Sequence, residues 1–89
     1  MNFDEISDLV VDNQQPTTRL RIRFNNGSTE TVVFNLSHKI VDIKNFISKK
    51  TKVHPKKFNL VVGNKPLEQE EDTLEKSGLK NCVVSQTMK

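Results

Sequence analysis

One stretch of the chain, Phe34-Asn35-Leu36-Ser37-His38-Lys39-Ile40-Val41-Asp42-Ile43-Lys44-Asn45-Phe46-Ile47, constrains the fold more than any other. It reads as the end of a strand, a short crossing and an amphipathic helix. Ile40, Ile43, Phe46 and Ile47 recur at three- and four-residue steps, which places them on one helical face. Asp42, Asn45, Ser48 and Lys49 fall mostly on the other face. Ser37 is positioned as an N-cap, because its hydroxyl can accept from a free N–H of the first turn. Asp42 in the first turn and Lys49, Lys50 and Lys52 at the end match the signs of the helix dipole. The remaining apolar runs have strand or connector character, so this one helix has to cover a sheet.

Eighty-nine residues suffice for one domain with one small core. With 34% hydrophobic residues and neither Trp nor Tyr, that core rests on five Phe and on aliphatic side chains. No apolar run approaches the length of a membrane span, and the N-terminus lacks the basic flank and apolar core of a secretory signal. A single cysteine, Cys82, excludes an internal disulfide and a multi-cysteine zinc site. It fits a reducing compartment, so a cytoplasmic or nuclear location is expected.

Taken in order, residues 1–16 form an acidic lead-in and linker, and residues 17–89 form the domain. Phe3, Ile6 and Leu9 or Val10 have helical spacing, so the lead-in reads as a short helix or as a frayed terminus. Leu20-Arg21-Ile22-Arg23-Phe24 alternates apolar and basic residues, with Arg19, Arg21 and Arg23 facing out. Asn25-Asn26-Gly27-Ser28 is a hairpin turn, and Thr29 to Leu36 is the return strand, with Val32, Phe34 and Leu36 on one face. The helix ends near Lys52, before His54-Pro55. Phe58 to Val62 is a third strand with Val61 outward. Gly63-Asn64-Lys65-Pro66 turns into a short strand around Leu67. Leu74 and Leu79 anchor a small turn, and Cys82 to Met88 is the last strand. The expected class is α+β: a mixed sheet of four to five strands packed on one main helix, the β-grasp arrangement of ubiquitin.

The net charge of +3 conceals an asymmetry. Residues 1–18 contain Asp4, Glu5, Asp8 and Asp12 and no Lys or Arg, so the body carries all 14 basic residues against 7 acidic ones. A basic body suggests an acidic partner surface or nucleic acid. Lys49, Lys50, Lys52, Lys56 and Lys57 gather at the helix end, but no Tyr or Trp interleaves with them and no nucleic-acid motif is present. His38 and His54 stand sixteen residues apart and suggest no metal site; His38 reads as structural, beneath the helix start. Cys82 has no local base to activate it, and the three Gly are too scattered to cradle a phosphate. No catalytic constellation, cofactor or small-molecule substrate is expected.

Several pieces resemble the UBX domain, a ubiquitin-like domain of adaptors for the valosin-containing AAA ATPase. They are Gln15-Pro16-Thr17-Thr18, Leu20-Arg21-Ile22-Arg23-Phe24 with Gly27 in the turn, Phe34 through Ile43, and Asn81-Cys82-Val83-Val84-Ser85-Gln86. The third piece looks like the Phe-Asn-x-Ser-His-x-x-x-Asp-Ile pattern of adaptors that join UBA, SEP and UBX domains and act in membrane fusion. The resemblance implies a non-catalytic, monomeric module that docks on the ATPase N-terminal domain and links it to cargo in ubiquitin-dependent degradation or membrane fusion. It also implies that the chain is a fragment of a longer adaptor or a reduced family member. The family grips through an Arg on the first strand and a Phe-Pro-Arg or Phe-Pro-Asn-Lys loop after the third. Arg23 matches the strand Arg, and Asn64 and Lys65 match the end of the loop. The Phe-Pro pair is absent, because Val62-Gly63 passes directly into Asn64.

The expected partner-binding residues are therefore Arg21, Arg23, Val61, Gly63, Asn64, Lys65 and Pro66, with ATPase binding weakened, altered or lost. The alternative is a ubiquitin-like module that binds another protein through its sheet face at Val61 and Lys65. The chain ends Thr87-Met88-Lys89 without the Gly-Gly pair that ubiquitin uses for conjugation, so an interaction module is expected and not a transferable modifier.

Overall fold

The computed structural model describes residues 9–89. Among these residues, five strands and one helix make up the fold: β1 (Thr17–Arg23), β2 (Thr29–Asn35), α1 (Ile40–Thr51), β3 (Phe58–Val62), β4 (Lys65–Pro66) and β5 (Val83–Met88). A 3-10 turn, Pro55–Lys57, leads into β3. The sheet order is β2-β1-β5-β3-β4. Only β1 and β5 run parallel, and every other neighbour is antiparallel. The expected mixed sheet thus has five strands. Phe3 and Ile6 of the expected N-terminal helix lie outside the described residues.

Alternation in β1 buries Leu20 and Ile22 and exposes all three arginines. On the same inner face stand Phe34, Phe58, Leu60 and Val84, all fully buried, and α1 lays Ile40, Ile43 and Ile47 over them. Phe46 is half-buried beside them, 6.0 Å edge-to-face from Phe34. Leu74 and Leu79 close the end of this core. Gly27, at φ +90, turns the β1–β2 hairpin in a conformation that L side chains rarely adopt.

The helix start differs from its expected form. Ser37 is exposed and the helix begins at Ile40, so Ser37 does not cap it. The Asp42 carboxylate instead accepts from the Lys39 N–H at 2.8 Å, while the Asp42 N–H donates to the Lys39 carbonyl at 2.9 Å. The next two N–H groups, of Ile40 and Val41, donate to the carbonyls of Asp72 and Glu70. The 70–72 loop therefore supplies the acceptors that a capping side chain would otherwise provide. At the far end Lys52 adopts the left-handed conformation, φ 59, and its N–H closes on the Ser48 carbonyl.

Other departures have local causes. Ser48 is fully buried, because its hydroxyl donates to the Val53 carbonyl at 2.6 Å and follows the chain off the helix. Phe24 and Leu36 lie just outside their strands, Lys65–Pro66 replaces the short strand expected around Leu67, and β5 begins at Val83. Cys82, the residue before it, is half-buried, and its carbonyl accepts from the Arg21 N–H. His38 is structural: its Nδ1 accepts from the Asn35 N–H at 2.9 Å, and its ring meets Phe34 edge-to-face.

Candidate functional site

The outer face of the sheet, opposite α1, carries the candidate site. Cross-strand pairing lines up Thr29, Arg23, Ser85, Val61 and Pro66, one residue from each strand, in a single row. Neighbouring strands lie about 4.8 Å apart, so Arg23 stands about 10 Å from Val61 and about 14 Å from Pro66. A second row places Arg21 between Thr31 and Val83. Val83 is 46% exposed, the most exposed apolar side chain in the centre of this face. The expected site residues Arg21, Arg23, Val61 and Pro66 therefore share one surface.

Gly63 and Asn64 form the two-residue turn between β3 and β4, because Val62 pairs directly with Lys65. Gly63 has φ +61, the positive value that a type II′ hairpin needs at its first central position. Such a turn has no length to spare for a protruding aromatic. Lys65, paired with Val62, falls on the helix side of the sheet. There it borders a cavity of about 340 Å³ with Leu67, Lys76, Leu79 and Cys82. Arg23 and Lys65 thus project from opposite faces of the sheet, with β5 and β3 between β1 and β4.

Burial pushes the Cys82 thiol above its ordinary pKa, partly offset by a backbone hydrogen bond. Among the described residues, no three His, Cys, Asp or Glu gather into a metal-binding group, and no helix is long and apolar enough to cross a membrane.

Val83 and Ser85 were not among the expected site residues. Their outward alternation, Val83-Ser85-Thr87, is visible in the sequence, but only the pairing of β5 with β1 and β3 shows that Ser85 stands between Arg23 and Val61 and Val83 beside Arg21. Lys44, in the middle of the helix, is also unexpectedly buried, with its ammonium 2.7 Å from Glu70.

The UBX domain family model matches residues 12–87. Similar curated proteins include a p47 homolog described as an NSFL1 cofactor, from Dictyostelium discoideum. It is 36% identical over 87 residues, covering 94% of this chain and 21% of that protein. Plant UBX domain-containing protein 3 from Arabidopsis thaliana is 33% identical over 91% of this chain and 28% of its own length. Human UBX domain-containing protein 2B is 34% identical over 91% and 25%, respectively. The chain thus spans 21–28% of the length of these relatives. Among solved structures, a designed protein based on ubiquitin superposes with a TM-score of 0.71 at 20% identity, over 82% of this chain and 89% of that one. That likeness shows the ubiquitin-like fold. With the sequence match running from the Asp12 turn to the end of β5, this chain belongs to the UBX domain family of protein-interaction modules.

Proposed function

We propose that the domain docks on the N-terminal domain of the valosin-containing AAA ATPase and tethers an adaptor to it. The observation that carries this reading is the position of Arg23. It is exposed on the row that crosses the outer face by way of Ser85 and Val61 to Pro66 beside the β3–β4 turn, which puts one partner surface within reach of both Arg23 and the turn. Arg23 supplies a forked donor to a carboxylate or carbonyl, and Lys65 adds a second cation from the other face of the sheet. The two-residue turn offers no buried aromatic anchor, so the contact is weaker than in members with a Phe-Pro loop. The setting implied is the cytoplasm or nucleus, in ubiquitin-dependent degradation or membrane fusion.

A calorimetric titration of the domain into the purified ATPase N-terminal domain tests the reading. Arg23→Glu/Lys65→Glu should weaken binding by about tenfold or more. Unchanged affinity in that variant would remove this surface as the contact. No heat for the wild type, with retention of another protein on the immobilised domain that Val83→Asp abolishes, would favour recognition through the sheet face. The exposure of Val83 at the centre of that face gives this second reading its footing.

A further inference from the structure

Arg19, Arg21 and Arg23 form a straight file on β1, all exposed on the outer face. Among the described residues, no carboxylate forms an ion pair with any of them. The outward positions of all five strands contain no Asp or Glu. The acidic residues that neutralise lysines lie elsewhere: Glu70, Glu71 and Asp72 in the loop under the helix start, and Glu30 beside Lys50. Among the described residues, the strands' outer face is therefore purely cationic, and its charge is concentrated on a single strand.

We propose that this file is a docking surface for an extended acidic polypeptide segment with carboxylates on alternate residues. Alternate side chains on a strand repeat about every 6.8 Å. A partner lying extended along β1 repeats its own alternate side chains at the same interval. Three guanidinium groups then meet three carboxylates in register, each pair able to bond bidentately. Thr29 and Thr31 stand beside Arg23 and Arg21 and add hydroxyl donors, and Val83 offers an apolar contact next to Arg21. Protein is favoured over single-stranded nucleic acid because, among the described residues, no aromatic side chain lies on this face for bases to stack on: Phe24, Phe34 and Phe58 are buried, and Phe46 sits on the helix. The surface requires no ATPase, and its use of Arg19 takes it beyond the β3–β4 corner.

The test is fluorescence polarisation with two labelled heptapeptides of equal charge, Glu-Thr-Glu-Thr-Glu-Thr-Glu and Glu-Glu-Glu-Glu-Thr-Thr-Thr, beside a ten-nucleotide oligothymidylate. At about 50 mM salt the alternating peptide should bind about fivefold tighter than the block peptide. Arg19→Gln should reduce that preference, and Arg19→Gln/Arg21→Gln should abolish it with an unchanged circular dichroism spectrum. Equal binding of the two peptides would reduce the face to bulk charge and overturn the inference, as would tighter binding of the oligonucleotide. A flat ATPase titration would instead count only against the docking function, because these probes contain no ATPase.

Discussion

Asp12 and Asn35 hydrogen-bond to each other in both directions. The Asp12 N–H donates to Asn35 Oδ1 at 2.8 Å, and Asn35 Nδ2 donates to the Asp12 carbonyl at 2.7 Å. Nδ2 also reaches the Pro16 carbonyl at 3.3 Å, and the Leu36 N–H donates to that same oxygen. One buried amide at the end of β2 thus secures the entry to β1. Asn35→Ala leaves the Asp12 N–H without its partner and removes one of the donors to the Asp12 and Pro16 carbonyls, and should cost about 1–2 kcal/mol in urea unfolding. Amide exchange at Asp12 and Leu36 should accelerate more than at Leu20 in the sheet centre. Equal acceleration at all three would mean that the amide is not a local clasp.

Lys44 and Glu70 test how the 70–72 loop is held. The Lys44 ammonium is 2.7 Å from Glu70 and 5.6 Å from the centre of the Phe58 ring, and its side chain is 8% exposed. Glu70 is half in solvent, which lowers the worth of the pair, but its removal leaves a nearly buried cation. Glu70→Gln should therefore destabilise by about 1–2 kcal/mol, whereas Lys44→Met, which keeps the packed stem and drops the charge, should stay within about 1 kcal/mol of wild type. Thermal melts of both variants check the ordering. A larger loss in Lys44→Met would show that the charge itself holds the loop.

These clasps mark the limit of what the sequence reveals. The helix face was legible because Ile40, Ile43 and Ile47 carry a 3.6-residue period, and the first hairpin because Asn26-Gly27 admits a positive φ. Both signals are local. The helix cap was not, because its acceptors come from carbonyls of Asp72 and Glu70, and backbone groups of a distant loop leave no residue signature. Ser37, the strongest capping residue in the right place, was displaced for that reason. The candidate site followed the same division. Outward alternation identified Arg21, Arg23 and Val61, while their alignment with Ser85 and Pro66 depends on β5 entering between β1 and β3. Lys65 moved to the opposite face because a two-residue turn pairs it with Val62, which is an inward position.

Cys82 should be a slow thiol. Burial raises its pKa, so less thiolate is present at a given pH than for a free cysteine, and thiolate is the reacting form. Its reaction with an aromatic disulfide reagent at pH 8 should be several-fold slower than that of a cysteine tripeptide and should reach the tripeptide rate in denaturing urea. The sign also sets a stability trend. A thiol kept neutral in the fold contributes stability below its ordinary pKa and loses it as pH rises through the higher folded value. Wild type should therefore lose ground relative to Cys82→Ala under alkaline conditions. A thiol that reacts as fast as the tripeptide in the native state would contradict this account.

The β3–β4 turn allows the most direct test of why docking should be weak. Val62 and Lys65 are paired, so Gly63 and Asn64 are the whole loop. Inserting Phe-Pro between Gly63 and Asn64 lengthens the loop to the family's form, with an aromatic followed by Pro, Asn and Lys. A fully buried Phe removes about 150–200 Å² from water, of which ordering costs leave about 1.5–3 kcal/mol as binding energy. The insertion should therefore raise affinity for the ATPase N-terminal domain about 10- to 100-fold. Its effect on fold stability should be small, since Gly63 is kept and the hairpin tip that receives the insertion is exposed. The gain should disappear when Arg23→Glu is added, because the proposed docking has the loop and the arginine meet one partner. If the inserted Phe leaves affinity unchanged while the domain remains folded, the β3–β4 corner does not face the ATPase, and the arginine file on β1 becomes the surface to pursue.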